Sequence, residues 1–409
     1  FALTPAQQEY VDRVRELART ELAAPARRDP GTDSGHGHVD RKLLRKLGDL
    51  GLLRGLFGGE PEEAPRDAAA MQLCLLRETL AGVDTAAETA LALQGLGSYP
   101  ILQAGRPETV ERWIPGVVSG EVVAAFALSE PSAGSDAAAL ELRAEEVASR
   151  RAPPSSATGR SWTLHGEKAW ISNAPDADVY TVFARTTPAA GAKGVTAFAV
   201  PGDAEGLSGE RLDLLAPHAI GRLVFDGVRV TEDDVLGEVD AGFAVAMRTL
   251  DLFRPSVGAF AVGMAQAALD AALDWSVTRQ MYGGLLGDQQ AVQHVLAEMA
   301  TRVQAARLLV RSAATSYDEG SRRARPTRSA DVTRNAAMAK LFATETAQWV
   351  VDQAVQIHGA RALVRGHLLE HLYREVRAPR IYEGASEVQR TIIGRALVRD
   401  ALADKEHEK

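Results

Sequence analysis

The sequence predicts an α+β fold of three consecutive domains: an N-terminal helical domain over residues 1–120, a small β domain over 121–230, and a C-terminal four-helix bundle domain over 231–409. Helical periodicity fills both ends of the chain, and short apolar runs separated by Gly, Pro and Asp clusters fill the middle. A length of 409 residues also exceeds what a single hydrophobic core usually serves. Helices and strands that are segregated along the chain favour α+β over alternating α/β architecture.

The N-terminal domain begins with a capped helix. Thr4 is placed to cap it and Pro5 occupies the first helical position, and Val11 and Val14 follow at helical spacing. A polar loop covers residues 29–38. It contains two histidines, but no further ligands accompany them, and we predict no metal site.

The middle domain contains five apolar runs of strand length, at residues 122–128, 162–165, 179–184, 195–200 and 223–225. Between the first two runs, residues 148–159 are rich in Pro, Ser and Arg and predict a surface loop.

The C-terminal domain starts with a segment, residues 256–279, that is apolar on nearly all sides. Such a helix is buried by its own domain or by other subunits. Apolar residues recur every three or four positions between Val292 and Val310, as in a bundle seam. Helices near 331–358 and 362–377 complete the four, and a shorter helix begins at Ser386.

Composition narrows the class of protein. The hydrophobic fraction is 46% and the charged fraction 24%, which is ordinary for a globular protein, and the net charge of −8 argues against nucleic acid as a partner. No uninterrupted apolar run reaches the roughly 18 residues that a membrane span needs, and no signal peptide is visible. The single cysteine, Cys74, excludes an intrachain disulfide and lies in an apolar run typical of a core. We therefore predict a cytoplasmic protein without a membrane span.

The most informative segment is Arg380–Arg390, which places Glu383 on a short loop between two helices. Pro379 ends the preceding helix, and Ser386 with Gln389 predicts a capping box at the start of the next one. A base that must reach a buried substrate needs a rigidly flanked loop of this kind. The alternative is a solvated surface carboxylate.

Two predicted strand ends carry polar or aromatic groups. Ser129, Gly134 and Ser135 follow the first strand, where hydroxyls and exposed backbone N–H groups can bind a planar heterocycle and then a phosphate. Trp170 and Ser172 end the next strand and offer an aromatic face and a further hydroxyl. The alternatives are a polar turn and a core tryptophan.

These segments together resemble the acyl-CoA dehydrogenase family. The resemblance is carried by five ordered segments between residues 126 and 390: Leu128–Asp136, Lys168–Asn173, Arg279–Gly283 with Gln290, Gln356–Gly359, and Tyr382–Arg390.

The resemblance implies an FAD-dependent α,β-dehydrogenation of an acyl thioester to the 2-enoyl thioester. Glu383 would take the Cα proton and flavin N5 the Cβ hydride, while the backbone N–H of Glu383 and a ribityl hydroxyl would bind the thioester carbonyl. The acyl group could be carried by CoA or by an acyl carrier protein. Two alternatives remain open: an acyl-thioester oxidase that uses O2, and a catalytically silent flavin-binding scaffold.

The same resemblance assigns further residues. Flavin contacts from the same subunit are implied for Phe126, Leu128, Ser129, Gly134, Ser135, Trp170, Ile171 and Ser172. Contacts to the cofactor of a neighbouring subunit are implied for Arg279, Tyr282, Gln290, Gln356 and Gly359, and cofactor contacts also for Ser386 and Glu387. Substrate contacts are implied for Ser135, Arg254, Tyr382 and Gly384. A homotetramer is implied, with an electron-transfer flavoprotein as the acceptor.

Some family members carry the base elsewhere, at the position that Phe253 occupies here. Phenylalanine cannot ionise, which leaves Glu383 as the matched base, with Asp251 as the competing carboxylate. For Arg254 the alternative is a structural ion pair with Asp251.

Three departures from the family pattern affect segments implied to contact the adenosine end of the cofactor or the carrier of the acyl thioester. They are a short loop at 216–221, alanines at 360 and 362 where glycines are usual, and Ala385 in place of threonine. Residues 90–99 would line the acyl pocket; they are apolar with one Gln94 and no arginine, which favours a short or branched acyl chain over a dicarboxylate.

Overall fold

A computed structural model describes residues 2–22, 37–58, 69–147, 159–215, 218–321 and 330–407, and it has the predicted order of helices, then strands, then helices. The predicted α+β class is therefore confirmed. His36, residues 148–158 of the loop predicted over 148–159, and residues 216–217 lie outside the described ranges.

The helices carry the following labels and bounds: α1 Pro5–Glu21, α2 Arg41–Asp49, α3 Ala70–Ala81, α4 Thr85–Ala104, α5 Pro107–Ser119, α6 Gly242–Thr278, α7 Gln290–Ser321, α8 Ala330–His358, α9 Leu368–Glu375 and α10 Ser386–His407. The strands are β1 Ala124–Ala127, β2 Arg143–Glu146, β3 Ser161–Ser172, β4 Val179–Arg185, β5 Val195–Pro201, β6 Leu207–Arg211, β7 Ile220–Thr231, β8 Val235–Leu236, β9 Gln280–Met281 and β10 Gly284–Leu285.

Two compact units emerge from the pattern of contacts. One comprises the described residues within Phe1–Gly31, Ala69–Glu88 and Leu250–Lys409. The other comprises those within Thr32–Ala68 and Thr89–Thr249. The first, the helical unit, contains Glu383, and the second, the sheet unit, contains both predicted strand ends.

The sheet unit is built on an eight-stranded sheet with the order β6-β7-β3-β2-β4-β5-β8, in which β1 pairs in parallel with β4. Strands β3 and β7 form a long antiparallel pair from Ser161↔Thr231 to Ser172↔Ile220. Aromatic and branched side chains fill the core, where the Trp162 and Phe198 rings lie 5.7 Å apart. This core fixes the strands on which the site residues are mounted.

Apolar runs located five strands correctly, although β3 and β7 are longer than predicted. Strands β2 and β6 were not predicted because their sequences, Arg-Ala-Glu-Glu and Leu-Ser-Gly-Glu-Arg, are mostly polar and lack an apolar run. They form strands because their backbones pair with those of the longer strands β3 and β7.

The helical unit contains long helices α6, α7, α8 and α10. The helix predicted near 362–377 is present but shorter than expected: Gly359–Leu363 forms a 3-10 turn, α9 covers only Leu368–Glu375, and α10 is the longer helix with 22 residues. Gly359 and Gly366 have left-handed φ values of 65° and 86°, which end one helix and delay the next.

Helix α6 is long and apolar enough to cross a membrane by length and composition alone, but 72% of its most apolar window is buried inside the protein. Residues 251–265 are buried on every side, as a core helix requires. Near its C-terminus, however, Leu273 and Val277 are exposed in the single chain. Cys74 on α3 is buried, as predicted.

Candidate functional site

Glu383 lies on a loop with an unusual backbone. A 3-10 turn, Ala378–Arg380, precedes it and α10 follows it. Glu383 and Gly384 have successive left-handed φ values of 51° and 95°. Glycine adopts this conformation freely, but for a glutamate it costs on the order of 1 kcal/mol or more, so other contacts must hold the loop.

Lys340 on α8 provides two of these contacts. Its Nζ donates to the carbonyl oxygens of Tyr382 and Gly384, at 2.8 and 2.7 Å. One buried ammonium thus holds the carbonyl groups of the residues on both sides of Glu383.

Arg254 and Gln389 hold the loop from two further helices. Arg254 on α6 donates through Nε to the Glu383 carbonyl at 3.3 Å. Gln389 on α10 donates through Nε2 to the carbonyls of Glu383 and Gly384, at 3.3 and 2.9 Å. Three successive carbonyls, starting at Tyr382, are therefore bonded to side chains from α6, α8 and α10.

The predicted capping box is wrong. Ser386 is the first residue of α10 and not the residue before it, its hydroxyl donates to Glu345 Oε1 at 2.6 Å, and the Gln389 N–H bonds to the Ala385 carbonyl. The Gln389 side chain, which a capping box would direct to the N-cap, serves the Glu383 loop instead.

The Glu383 carboxylate is shielded from solvent at Oε2, which has no hydrogen-bond partner among the described residues. Burial raises its pKa, while the charges of Arg77, Lys340 and Arg254 act in the opposite direction. A carboxylate of this kind remains able to take a proton near neutral pH, which a solvated surface glutamate does less well.

Arg77 and Glu88 form a fully buried ion pair that the sequence analysis missed. Arg77 also donates through Nη1 to the Ser256 hydroxyl at 2.7 Å, and it is the strongest positive influence on the pKa of Glu383. The available signal was the apolar run Leu73–Leu76 directly before Arg77 in α3.

The competing carboxylate, Asp251, is buried and already engaged. It accepts hydrogen bonds from Thr333 Oγ1 at 3.0 Å and Arg254 Nη1 at 3.4 Å. Arg254 therefore makes the ion pair given as the alternative, and it also holds the Glu383 loop, which was not predicted. Phe253 is buried, and nothing ionisable replaces it at the alternative base position.

In the sheet unit, Trp170 occupies a bulge of β3. The register against β7 shifts between Lys168 and Ile171, and Trp170 adopts a left-handed φ of 57°. Its side chain is 52% exposed, so the core-tryptophan alternative is wrong. An aromatic face held out of the sheet by a strained bulge is suited to stacking on a planar ligand.

The loop after β1 is tied to the same strand. Lys168 is fully buried and donates to the Leu128 carbonyl at 2.9 Å and to Glu130 Oε1 at 2.8 Å, and the Ala169 N–H donates to the Ser129 carbonyl at 3.0 Å. The structure thus brings the two predicted strand ends together.

The remaining predicted residues of this region divide by exposure. Gly134 and Ser135 are exposed, and a Cβ added at Gly134 would meet nothing within 4 Å. Ile171 is buried in the core, which leaves its backbone to face a ligand. Phe126 is half-buried beside Phe183, with ring centroids 5.0 Å apart, and Ser172 is half-buried. A planar face, exposed hydroxyls and an open glycine fit the flavin that the resemblance implies.

The side-chain amide of Gln94 is not free, because both its nitrogen and its oxygen bond to the backbone beside β1. Its Nε2 donates to the Val122 carbonyl at 2.6 Å, and its Oε1 accepts from the Ala124 N–H at 2.8 Å. Its role is to attach α4 to β1 rather than to offer a polar group to an acyl chain.

The end of α6 and the end of α8 meet around Trp275. The His358 ring stacks on Trp275 at 5.4 Å, and the guanidinium groups of Arg361 and Arg279 lie 4.9 and 5.7 Å from its ring centre. The structure therefore places Arg279 and the Gln356–Gly359 segment in one region. Two clustered arginines suit a diphosphate.

The other residues implied for the cofactor of a neighbouring subunit are exposed in the single chain: Tyr282, at 90%, Gln290, Gln356 and Gly359. Glu387, implied as a further cofactor contact, is exposed as well. Ser386 differs, since it is buried and its hydroxyl bonds to Glu345. Within the described ranges, no group of three or more His, Cys, Asp or Glu side chains is arranged to hold a metal ion.

Comparisons with known proteins give consistent matches along the chain. Three domain families match in order: acyl-CoA dehydrogenase N-terminal domain over residues 4–121, middle domain over 125–228, and C-terminal domain over 240–398.

Similar proteins share most of the length of the chain. Cyclohexane-1-carbonyl-CoA dehydrogenase of Geobacter metallireducens is 32% identical over 95% of this chain and 96% of its own. The human mitochondrial short-chain specific acyl-CoA dehydrogenase is 36% identical over 87% and 82%. The structure of butyryl-CoA dehydrogenase from Megasphaera elsdenii superimposes with a TM-score of 0.84 at 32% identity, covering 97% of this chain and 99% of that one.

Proposed function

The chain belongs to the acyl-CoA dehydrogenase family, and we propose that it converts a short, branched or alicyclic acyl-CoA into its 2-enoyl thioester with Glu383 as the base. It is an FAD-dependent oxidoreductase. The observation that carries the assignment of Glu383 is its shielded, unpartnered Oε2 on a loop whose carbonyls are held from three helices.

The chemistry required of Glu383 is removal of the Cα proton, which the thioester carbonyl makes acidic. Burial raises the pKa of the carboxyl group and so strengthens it as a base, while the charges of Arg77, Lys340 and Arg254 act in the opposite direction and favour the ionised form. Bound FAD supplies the acceptor for the hydride that leaves Cβ.

The thioester carbonyl needs hydrogen-bond donors, because negative charge develops on its oxygen as the proton leaves. The Glu383 N–H makes no hydrogen bond to the described residues, whereas the Tyr382 carbonyl, which belongs to the same peptide group, is bonded to Lys340. Lys340 therefore fixes this peptide group and leaves its donor available to a substrate.

The choice of acyl group rests on the relatives, whose names specify cyclohexane-1-carbonyl, short-chain and butyryl substrates. Residues 90–99 contain no arginine, which disfavours a dicarboxylate. An acyl carrier protein remains an alternative carrier to CoA, given the unusual sequence at 216–221.

We also propose a cytoplasmic homotetramer that passes electrons to an electron-transfer flavoprotein. The support for shared subunits is that Arg279, Tyr282 and Gln356 carry cofactor-binding chemistry but are exposed in one chain. Leu273 and Val277 near the end of α6 add exposed apolar surface beside them.

The decisive experiment is an anaerobic titration of the purified flavoprotein with butyryl-, isobutyryl-, cyclohexane-1-carbonyl-, glutaryl- and palmitoyl-CoA, and with butyryl thioester on a carrier protein. We expect butyryl-, isobutyryl- or cyclohexane-1-carbonyl-CoA to bleach the visible flavin spectrum. Bleaching by the carrier thioester alone would contradict the proposed carrier, and bleaching by none would contradict the substrate class. Rapid peroxide formation in air would identify an oxidase.

Glu383→Gln tests the base. We expect it to keep the yellow flavin spectrum and the bound substrate, but to slow flavin reduction at least ~1,000-fold, as the loss of a base that acts in the transition state requires. A reduction rate close to that of the unmodified enzyme would rule out Glu383.

A further inference from the structure

Lys340 is a buried cation with an unusual set of partners. It is completely buried, and its Nζ donates to the two backbone carbonyls that flank Glu383. Among the described residues, no carboxylate lies within 4.0 Å of this ammonium. A buried charge without a close counter-ion is costly, so its contacts to the loop are the principal compensation.

The charges around Lys340 come from each element packed against it. Glu383 on the loop has the largest electrostatic effect on the pKa of Lys340, followed by Arg254 on α6, Glu345 on α8 itself and Glu387 on α10. Glu345 is already engaged by the Ser386 hydroxyl and by Arg380 at 2.9 Å. Burial dominates, and it lowers the pKa of Lys340 to about 8.

The geometry points to Lys340 as the positioning residue of the base: its ammonium fixes the carbonyl groups of the residues before and after Glu383, and so fixes the direction of the carboxylate in the left-handed loop. This inference rests on the proposed role of Glu383. Lys340 also contributes positive charge that favours the ionised carboxylate, together with Arg77 and Arg254.

The test compares Lys340→Met, which keeps the length of the side chain but removes the charge and both donors, with Lys340→Arg, which keeps the charge. Thr344→Val is the matched control, because Thr344 is buried one turn further along α8 and its hydroxyl donates to the Lys340 carbonyl, not to the loop. The measurements are FAD content, anaerobic flavin reduction at saturating acyl-CoA, and the pH dependence of that rate.

We expect Lys340→Met to retain FAD but to reduce the flavin about 100-fold more slowly, the loss that a displacement of about 1 Å causes in a reacting group. The acid limb of its pH–rate profile should move to higher pH, because a cation that favours the ionised form of Glu383 has been removed. Lys340→Arg should slow the reaction without moving the acid limb, and Thr344→Val should behave like the unmodified enzyme.

An unchanged rate and unchanged acid limb in Lys340→Met would overturn the inference, as would an equal loss in Thr344→Val. If Lys340→Met does not fold, Lys340→Arg decides: a normal rate in that variant contradicts a role that depends on donor geometry. Glu383→Gln separates the two proposals. A fully active Glu383→Gln rejects the base itself, whereas an inactive Glu383→Gln with a normal Lys340→Met rejects only the positioning role.

Discussion

The reactivity of Glu383 depends on the pKa of its carboxyl group, which is set by burial and by the charges of neighbouring side chains. Burial raises the pKa of its carboxyl group, and three cations from α3, α6 and α8 lower it. Arg254 also donates to the carbonyl of Glu383, and Lys340 donates to the carbonyls of the two neighbouring residues. Arg254 and Lys340 therefore control both the direction and the basicity of the base, whereas Arg77 acts through its charge.

The buried pair of Arg77 and Glu88 gives a prediction at this scale. Arg77→Met should move the acid limb of flavin reduction to higher pH, since the strongest opposing charge on Glu383 is lost. It should also destabilise the protein by about 3–5 kcal/mol, because the buried carboxylate of Glu88 loses its ion pair with Arg77.

Urea unfolding and the pH profile of flavin reduction measure the two effects. The double variant Arg77→Met with Glu88→Gln is the control: it should recover part of the stability but keep the shifted acid limb. An unshifted limb in both variants would show that Arg77 does not act on the base.

Residue by residue, sequence reasoning located the side chains that carry a recognisable local pattern, such as Glu383 and Trp170. It did not find Arg77, Glu88 or Lys340, because a charged residue inside a helix has the same local appearance whether it is buried or solvated. Their partners are distant in sequence, as for Arg77 with Ser256. Gln94 shows the converse, since its apparent pocket amide is used by the backbone beside β1.

At the scale of elements, β3 has two functions along its length. Trp162 near its start is 1% exposed and packs on Phe198, whereas Trp170 near its end is displaced outward by the bulge. A strand that alternates regularly would have buried both tryptophans, since they are eight residues apart. The bulge therefore converts the end of a core strand into a binding surface.

These two tryptophans form a matched pair of variants. Trp170→Ala should weaken FAD binding at least tenfold and change the stability of the FAD-free protein by less than ~0.5 kcal/mol, because the side chain is exposed. Trp162→Ala should cost about 3–5 kcal/mol by leaving a cavity. Fluorescence titration with FAD and urea unfolding of the FAD-free protein give the two values; unaltered FAD affinity in Trp170→Ala would remove the stacking role.

Element prediction succeeded where hydrophobic periodicity was strong and failed where it was absent. Strands β1, β4 and β5 are apolar and were found, but β2 and β6 are polar and depend on pairing with β3 and β7. The length of the helix predicted over 362–377 was misjudged because the left-handed backbone at Gly359 and Gly366 cannot be inferred from periodicity.

At the scale of the whole molecule, two buried lysines make stability depend on pH. Burial lowers the pKa of both Lys168 and Lys340 to about 8, from the model-peptide value of 10.5. Between pH 8 and about 10 the unfolded chain therefore binds more protons than the folded one, so the contribution of these groups to the free energy of unfolding rises with pH.

Urea unfolding of the flavoprotein at fixed protein concentration, at pH 7.5 and pH 9.5, checks this prediction. We expect the pH-dependent gain to be smaller in Lys340→Met than in the unmodified protein. An identical gain in both would show that Lys340 keeps its proton throughout this range.

Helix α6 carries Arg254 at the Glu383 loop and Trp275 at the arginine cluster, about 30 Å apart along its axis. With the cofactor shared as proposed, a chain's base and its own arginine cluster serve different active centres. Two inactive variants should then complement each other. One variant, Glu383→Gln, lacks the base but keeps Arg279, and the other, Arg279→Ala, keeps the base. In a mixed pair, one active centre would combine the intact Glu383 of one subunit with the intact Arg279 of the other, so mixing the two variants would restore activity at that centre. In a cell that holds two alleles, the damage from one would be distributed through the assembly rather than confined to the chain that carries it.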